Sequence, residues 1–317
     1  MKARMTLLVL AGLFLVGCAV DRTPLRIGLN DWPPCAVWAV AQKEGFLKDA
    51  PVEFVHYSNW SDNMESLSKG KLDLTHSTYL NSIYYGPKGE PSKIIISLDT
   101  IEGSDGLLLS NAVASPKDLA GKQIAVEVET DEHFLLYKAL ASFGVASDSV
   151  TIVSETSKRA AELFKEGKVD ACFTYDPYLA EAAASGLGRI VWTTKDAPGN
   201  MIDVLELRQA TLDKRRSDVA RLVKAWFKAL DFIKANSASA YPIMAASMNM
   251  KLEDFVPFYE AFQFYGIEKN RQIFASAGFR AKLEEMSAFL LREKAIPVPV
   301  NPAGIYDASF VEGLGSK

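Results

Sequence analysis

The chain has 317 residues, of which 49% are hydrophobic and 23% are charged, and its formal net charge is −4. This composition is typical of a globular protein, and the length allows two domains of ordinary size. No basic cluster alternates with aromatic residues, which argues against nucleic acid as a partner.

The first residues have the pattern of an export signal. Lys2 and Arg4 are positive, and residues 5–16 form an apolar stretch that is too short to span a bilayer comfortably. The sequence LVGC over 15–18 resembles a bacterial lipobox, and this resemblance implies cleavage before Cys18 and lipidation of that cysteine.

We therefore expect a lipoprotein signal peptide over 1–17 and a tether over 18–24. The mature protein is expected in the cell envelope, in the periplasm or at the outer cell surface, held at a membrane by lipid. An ordinary signal peptide or an anchoring helix remains the alternative.

A segment of the chain repeats at an offset of 97 residues. The sequence LSKGKLDL returns as FKEGKVDA, so that Gly70 corresponds to Gly167 and Asp73 to Asp170. Each copy predicts a strand, a helix, a strand, a helix and a strand. A repeated α/β unit in a chain too long for one core predicts two similar lobes that face a ligand cleft.

In chain order, the predicted elements of the first lobe alternate strands with helices. We predict strands over 26–30, 52–57 and 72–75, and helices over 36–48, from Ser61 or Asp62 to Gly70, and after Ser77 or Thr78. Two further strands cover 93–97 and 106–110, and the chain is then expected to cross into the second lobe near Ser110.

The second copy of the repeat runs from residue 123 to about residue 192, and a strand over 202–207 is expected to return to the first lobe. The remaining sequence predicts packing helices over 217–235, 238–248, 252–264 and 280–293. We therefore predict one lobe from residues 25–110 and 201–317, and a second lobe from residues 111–200.

Ligand contacts are expected where strands end and helices begin, because both lobes present these ends to the cleft. The candidate ligand-binding residues are Asp31, Trp32, Trp60, Ser77, Thr78, Asp105, Glu129, Thr130 and Tyr175.

Several of these candidates have a structural alternative. Trp32 stacks on a planar or cationic ligand, or it covers the hydrophobic core. Trp60 is a second wall of the site or a hydrophobic staple of the following helix. The hydroxyls of Ser77, Thr78 and Thr130 bind a ligand, cap a helix, or do both.

The predicted strand ends are acidic. They carry Asp31, Asp105, Glu127, Glu129, Asp131 and Asp176, with no arginine or lysine beside them. A cleft for an anion usually contains arginine. The sequence therefore favours a cationic or nitrogen heterocyclic solute.

Signals for catalysis and for metal or cofactor binding are poor. The three histidines have no metal-binding spacing, and the chain contains no nucleophile elbow, phosphate loop or dinucleotide-binding glycine motif. We predict no catalytic residue, no metal and no cofactor, with a meeting of His76 and His133 across the cleft as the alternative. Cys35 and Cys172 fall on different predicted lobes and are expected to be buried thiols, with a disulfide between them as the alternative.

Several motifs together resemble one family. They are residues 27–47 with the sequence WPP followed by AQKEGFL, DLAGK over 118–122, GKVDA over 167–171 and DPY over 176–178. They resemble the nitrate/sulfonate/taurine-type substrate-binding proteins of ABC importers, a family that also includes binders of thiamine pyrimidine precursors. The similarity covers roughly Leu25 to Leu291.

This resemblance implies a type II periplasmic-binding-protein fold, in which two α/β lobes surround a ligand cleft and a helical segment follows at the C-terminus. By position, it implies cleft contacts at Asp31, Trp32, Ser77, Thr78, Thr130 and Tyr175. It also implies delivery of a small molecule to an ABC permease and ATPase by a monomeric binding protein that is not an enzyme. A receptor of the same fold that senses a ligand for a membrane signalling protein is the alternative.

Overall fold

The structure is a computed structural model that describes residues 23–57 and 60–315. The predicted signal peptide over 1–17, Cys18 and most of the tether over 18–24 lie outside the described residues. Among the residues described, no helix is both long and apolar enough to cross a membrane.

The first half of the chain alternates strands and helices. Its elements are β1 (Leu25–Leu29), α1 (Val37–Lys43), β2 (Val52–His56), α2 (Trp60–Ser68), β3 (Leu74–Thr78), α3 (Tyr79–Tyr85), β4 (Ser92–Ile101) and β5 (Asp105–Ser110). The next elements repeat the pattern and are β6 (Gln123–Val126), α4 (Asp131–Ser142), β7 (Thr151–Ser154), α5 (Ser157–Lys165), β8 (Ala171–Tyr175), α6 (Tyr178–Ala184) and β9 (Gly188–Thr193).

The last third of the chain is mainly helical. Its elements are β10 (Asp203–Arg208), α7 (Gln209–Ala235), α8 (Ser237–Ser247), α9 (Leu252–Glu260), β11 (Phe262–Phe264), α10 (Ile267–Ala275), α11 (Ala277–Arg292) and α12 (Ser309–Glu312). Helix α7 packs against α1, and α11 packs against α3.

Two mixed sheets form the two lobes. The first has the strand order β11-β4-β10-β3-β1-β2, and the second has the order β7-β6-β8-β5-β9. In each sheet the three strands of the repeat are parallel, and the strand that follows a crossing between the lobes joins them in the antiparallel direction.

The crossing into the second lobe comes earlier than the sequence analysis placed it. Strand β5, predicted within the first lobe, pairs with β8 and β9 of the second sheet, so the chain crosses at residues 102–104 and not near Ser110. Leu107 and Leu109 are buried on one face of that sheet and Leu108 on the other. A strand that is apolar on both faces fits the interior of a sheet.

The two crossings lie side by side. Residues 102–104 make the first, and residues 194–202 make the second. The backbone N–H of Gly103 donates to Oγ1 of Thr194 at 2.6 Å, which joins the two segments. The lobes are therefore connected by a paired hinge.

The repeat is visible in matching hydrogen bonds. Oδ2 of Asp73 accepts from the backbone N–H of Arg26, and Oδ2 of Asp170 accepts from the N–H of Gln123, both at 2.9 Å. Gly70 and Gly167, three residues before each aspartate, have φ of +71° and +69°, a conformation that favours glycine. Each aspartate thus ties the start of its third strand to its first strand.

One predicted helix end is a strand. The helix predicted over 252–264 ends at Glu260, and Phe262–Phe264 pairs with Thr100 and its neighbours at the edge of β4. Phe262 is buried and Gln263 is exposed, so this segment alternates with the period of a strand rather than a helix. The sequence analysis also missed α10.

The second lobe also contacts the C-terminal helices outside the cleft. The ring of Phe134 on α4 lies edge-on to Phe289 on α11, with centroids 5.2 Å apart. Lys138 Nζ lies 2.5 Å from Oε1 of Glu285. Helix α11 therefore packs on the first lobe through α3 and on the second through α4.

We expect Asp73→Ala to lower the free energy of unfolding more than Asp170→Ala. Both changes leave a strand N–H without its acceptor, but Asp73 also accepts hydrogen bonds from Arg208 and Thr211. The expected losses are about 2–4 kcal/mol for Asp73 and about 1–2 kcal/mol for Asp170. Urea unfolding of the two variants measures the difference, and equal losses would contradict a special role for Asp73.

Candidate ligand-binding cleft

A cavity of about 590 Å³ lies between the two lobes, at the carboxyl ends of the repeat strands. This volume is within the range of small-molecule sites. Eight of the nine predicted ligand contacts line it, namely Asp31, Trp32, Trp60, Thr78, Asp105, Glu129, Thr130 and Tyr175.

Ser77 is the exception. Its side chain is buried, and its Oγ lies 3.3 Å from the carbonyl oxygen of Thr78 and 3.4 Å from Oγ of Ser82. Successive side chains of a strand point to opposite faces, so Thr78 faces the cavity while Ser77 faces the interior of the first lobe. Ser77 is therefore not part of the cavity wall.

Thr78 combines the two roles that the sequence left open. Its Oγ1 accepts from the N–H of Asn81 at 3.1 Å, which caps α3. The same oxygen donates to Oδ2 of Asp131 in the other lobe, at 2.8 Å. Thr130 stands at the N-cap position of α4 but makes no capping bond, and its hydroxyl donates instead to the carbonyl oxygen of Glu127.

Trp32 both lines the cavity and covers the core. Its ring is half-buried and packs edge-on against Phe258 and Phe262, with centroids 5.8 and 5.2 Å away. Its indole N–H donates to Oδ2 of Asp203 at 2.7 Å. Trp60 is the first residue of α2 and is a half-buried part of the cavity wall.

Four buried carboxylates form what we call the floor of the cavity. They are Asp105, Asp131, Glu132 and Asp203, whose exposed fractions are 3%, 5%, 8% and 4%. Asp105 and Asp203 are the first residues of β5 and β10, directly after the two crossings. The antiparallel pairing sets Asp203 opposite Thr78 and Asp105 opposite Tyr175.

Burial raises the pKa of every floor carboxylate. The pKa of Asp131 rises to about 8, mainly through burial and then through the charge of Glu132. Burial, with the charge of a neighbouring floor carboxylate, raises the pKa of Asp105 and of Glu132 to about 7. Burial also raises the pKa of Asp203, although the bond from Trp32 opposes the rise.

A second pair of groups meets across the cavity near Glu129. The hydroxyl of Tyr84 on α3 donates to Oε2 of Glu129, which belongs to the second lobe. Lys88 Nζ lies 3.1 Å from the centroid of the Tyr84 ring. Glu129 has φ of +63°, a left-handed conformation that is uncommon outside glycine. Burial, and then the bond to Glu129, raises the pKa of Tyr84.

The amino ends of the helices around the cavity already have acceptors from this chain. Glu127 Oε2 accepts from the N–H of Ser157 at the start of α5, at 3.0 Å. Asp176 Oδ1 accepts from the N–H of Ala180 in α6, at 3.0 Å. Asp131 and Glu132 bring two carboxylates to the first turn of α4. These helix ends therefore offer little to an anionic ligand.

The histidines and cysteines stand apart from the cavity. His76 accepts from the indole N–H of Trp38 inside the first lobe, and burial lowers its pKa to about 3. His133 lies on α4 against Tyr137. Cys35 and Cys172 are free, buried thiols, and within the described part of the chain no group of His, Cys, Asp and Glu side chains could hold a metal.

Comparison with known proteins places the chain in a family. The sequence model of the NMT1-like family matches residues 19–248. The chain belongs to the NMT1-like family.

Relatives of this NMT1-like protein include named binding proteins. It is 25% identical to a Bacillus subtilis (strain 168) protein named for the binding of aliphatic sulfonates, over 98% of this chain and 96% of the relative. The taurine-binding periplasmic protein of Escherichia coli (strain K12) is 22% identical over 44% of each chain. Several further curated relatives match over only 54–60% of their own length.

Solved structures share the fold. The periplasmic aliphatic sulphonate binding protein SsuA from Escherichia coli superposes with a TM-score of 0.72 at 16% identity, over 89% of this chain and 97% of that one. A Candida albicans protein described as having the generic periplasmic binding protein fold gives a TM-score of 0.67 at 12% identity, over 92% and 94%. The predicted periplasmic-binding-protein fold is therefore confirmed.

The sequence analysis missed several residues of the cavity wall in this NMT1-like protein. They are Asn81, Tyr84, Tyr85, Glu132, Asp203 and Phe258. The sequence could have indicated Asp203, because it lies at the start of the predicted strand that returns to the first lobe. When such a strand runs antiparallel to its parallel neighbours, it begins at the edge of the sheet where they end. Tyr84 and Phe258 lie inside helices, and no motif marks them.

We expect Trp32→Ala to lower the unfolding free energy of the empty protein by roughly 2–4 kcal/mol, because the change removes the Phe258 and Phe262 contacts and the bond to Asp203. Trp32→Phe should retain most of the packing and lose about 1 kcal/mol. Chemical unfolding of both variants measures these losses. An unfolding free energy of Trp32→Ala equal to that of wild type would show that the ring lines the cavity without stabilising the core.

Proposed function

We propose that this NMT1-like protein is the substrate-binding protein of an ABC importer. It captures a small organic solute in the cleft between its lobes and delivers it to the permease and ATPase subunits. The observation that carries the proposal is the interlobe cavity, whose wall comes from both lobes and whose floor carboxylates have no bonded cationic side chain among the residues that the structure describes.

The mechanism is a shift between open and closed states. A solute that touches both lobes binds the closed state better and so increases its population. Contacts between lobes already exist at the cavity, where Thr78 meets Asp131 and Tyr84 meets Glu129. The paired hinge over 102–104 and 194–202 allows this movement.

The charge of the cleft favours a cationic or nitrogen heterocyclic solute. Of the described residues that line the cavity, eight are carboxylates and Lys158 is the one cationic residue. Lys158 is exposed. Relatives are named for sulfonate and taurine binding, but a sulfonate here would face the floor carboxylates and helix ends that are already capped.

Aromatic rings support the same class of solute. The cavity wall includes Trp32, Trp60, Tyr84, Tyr85, Tyr175, Tyr178 and Phe258. Such rings stack on planar heterocycles and attract cations through their faces. The combination of acidic floor and aromatic wall suits an organic cation better than an inorganic one.

Binding without catalysis fits the placement of the reactive side chains. The desulfurization enzyme DSZB shares the fold, with a TM-score of 0.65 at 18% identity. In the described part of this chain, neither cysteine nor any histidine lines the cleft cavity. Burial also raises the pKa of the Cys35 thiol, which disfavours a reactive thiolate.

A thermal-shift screen of the protein purified from cells that express the full chain tests the proposed function. We expect organic cations and nitrogen heterocycles to raise the melting temperature, and nitrate, taurine and ethanesulfonate to leave it unchanged. A solute at 100 times its Kd stabilises the folded state by about 2.7 kcal/mol. Small-angle scattering with a stabilising compound should show compaction, and no stabilisation by any solute would count against the importer function.

We also propose that lipid on Cys18 anchors the protein, as a monomer, to a membrane of the cell envelope. The supporting observation is the sequence LVGC over 15–18 after an apolar stretch. We expect wild type to fractionate with membranes and to incorporate labelled palmitate, and Cys18→Ser to lose both properties. Cys172→Ser is the matched control, and palmitate labelling of Cys18→Ser would refute the assignment.

A further inference from the structure

The floor carboxylates come from both lobes and lie within electrostatic reach of one another. Asp131 interacts with Glu132 in its own helix and with Asp203 of the first sheet. Asp105 interacts with Asp131 and Asp203. A group bound among them would therefore contact both sides of the hinge.

One buried floor oxygen has no hydrogen-bond partner in the described part of the chain. Oδ2 of Asp131 accepts from Thr78, but its Oδ1 is buried and accepts no hydrogen bond from these residues. A buried polar atom without a partner is costly, and native proteins usually satisfy it with protein, water or a ligand. Asp131 lines the cavity, and we assign its Oδ1 as the acceptor for an N–H donor of the solute.

The surroundings of the floor add negative rather than positive charge. The groups that face it from neighbouring elements are Asp99 of β4, which contacts Asp203, and Glu127, Asp176 and Tyr175 at the ends of β6 and β8. Glu129 and Asp31 lie farther along the cavity wall, and Lys158 is exposed on α5. No cationic side chain among residues 23–57 and 60–315 forms an ion pair with a floor carboxylate.

We propose that the floor carboxylates bind a primary ammonium group of the solute, and that this ammonium replaces a proton which the floor retains when it is empty. The proposal rests on the importer function proposed above and names the chemistry of its ligand. On binding, the O–H bond of a neutral floor carboxyl breaks, its proton leaves for solvent, and the new carboxylate accepts an N–H of the ammonium. Charge is conserved, because one cation enters as one proton leaves.

The raised pKa values of the floor agree with this exchange. With pKa values of about 8 for Asp131 and about 7 for Asp105 and Glu132, the empty floor holds protons near neutral pH. An alkylammonium keeps its own proton over the same range, since its pKa is about 10. Binding should therefore strengthen as the pH rises from about 6 to 8.

The proposal distinguishes a primary from a quaternary ammonium. Aromatic rings alone bind both, and a quaternary ammonium has no N–H to give to Asp131. Benzylamine and benzyltrimethylammonium carry the same ring and the same charge. They separate binding by the floor from binding by the aromatic wall.

The test is calorimetry of the purified protein with these two probes at about pH 7, in phosphate and in HEPES, two buffers that differ in ionisation enthalpy and contain no primary amine. We expect benzylamine to bind at least about tenfold more tightly than benzyltrimethylammonium, with heats that differ between the buffers because protons are released. Equal affinities without proton release would place the cation on the aromatic rings and overturn the proposal.

Two Asp→Asn substitutions, one in the floor and one outside the cavity wall, locate the effect. We expect Asp131→Asn to weaken benzylamine binding at least about tenfold and to release fewer protons, while its amide oxygen still accepts from Thr78. Asp148→Asn, at an exposed carboxylate outside the cavity wall, should change the affinity by less than about twofold. If the two variants weakened benzylamine binding equally, the carboxylates would act only through long-range electrostatic attraction. That result would contradict a binding site at the floor.

Unfolding without any solute gives an independent readout. A buried carboxyl has a higher pKa in the folded state than in the unfolded state, where it is about 4. The free energy of unfolding therefore falls as the pH rises from about 4 to the pKa of the folded state. Wild type should therefore lose stability between about pH 4 and pH 8, and Asp131→Asn should lose less. This comparison also shows whether Asp131→Asn is folded.

Failure of this site can be told apart from failure of the importer function. If benzylamine does not bind at millimolar concentration, the ammonium site is overturned. Stabilisation and compaction by another solute in the screen would then leave the importer function standing. If no solute acts at all, both proposals fall.

Discussion

Each sheet of this protein is completed by a strand that arrives from the other lobe, and the rest of the structure depends on this exchange. Strand β5 follows the last long strand of the first sheet but pairs in the second, and β10 makes the return. Both strands run antiparallel to the repeat strands, so their first residues lie where the parallel strands end. Hinge and cavity floor are therefore built from adjacent residues, because Asp105 and Asp203 directly follow the two crossings.

The floor has a cost that the remainder of the fold must offset. Buried carboxylates without counter-charges destabilise a protein unless they keep protons or receive a cation. Here the large apolar core, which is continuous from the first sheet through α11 to α4, supplies the stability. Such a local conflict between burial and charge is expected where a protein binds something, since stability is commonly exchanged for function at such sites.

The sequence predicted the repeated architecture well, because its information is local and strong. Gly70 with Asp73 and Gly167 with Asp170 mark equivalent turns, and the apolar strands around them have clear limits. The crossing was misplaced because the residues of β5 are apolar on both faces, and such a strand fits the interior of either sheet. Which sheet a strand joins depends on contacts with residues distant in sequence. The hydrophobic periodicity of the strand carries no information about these contacts.

The candidate site was predicted in part for the same reason. Residues at strand ends such as Asp31, Thr78 and Tyr175 lie on the cavity wall because topology alone brings strand ends together. Ser77 lies outside the cavity wall because one step along a strand reverses the direction of a side chain. Tyr84, Glu132 and Phe258 come from helices, whose rotation about their own axes is set by packing.

The paired hinge has a consequence for the entropy of closure. The first crossing has only three residues, which is about six soft backbone dihedrals, and the Gly103–Thr194 hydrogen bond couples it to the second. In the proposed closure, the first crossing therefore orders few backbone dihedrals. Its contribution to the conformational entropy that a solute spanning both lobes must offset is correspondingly small.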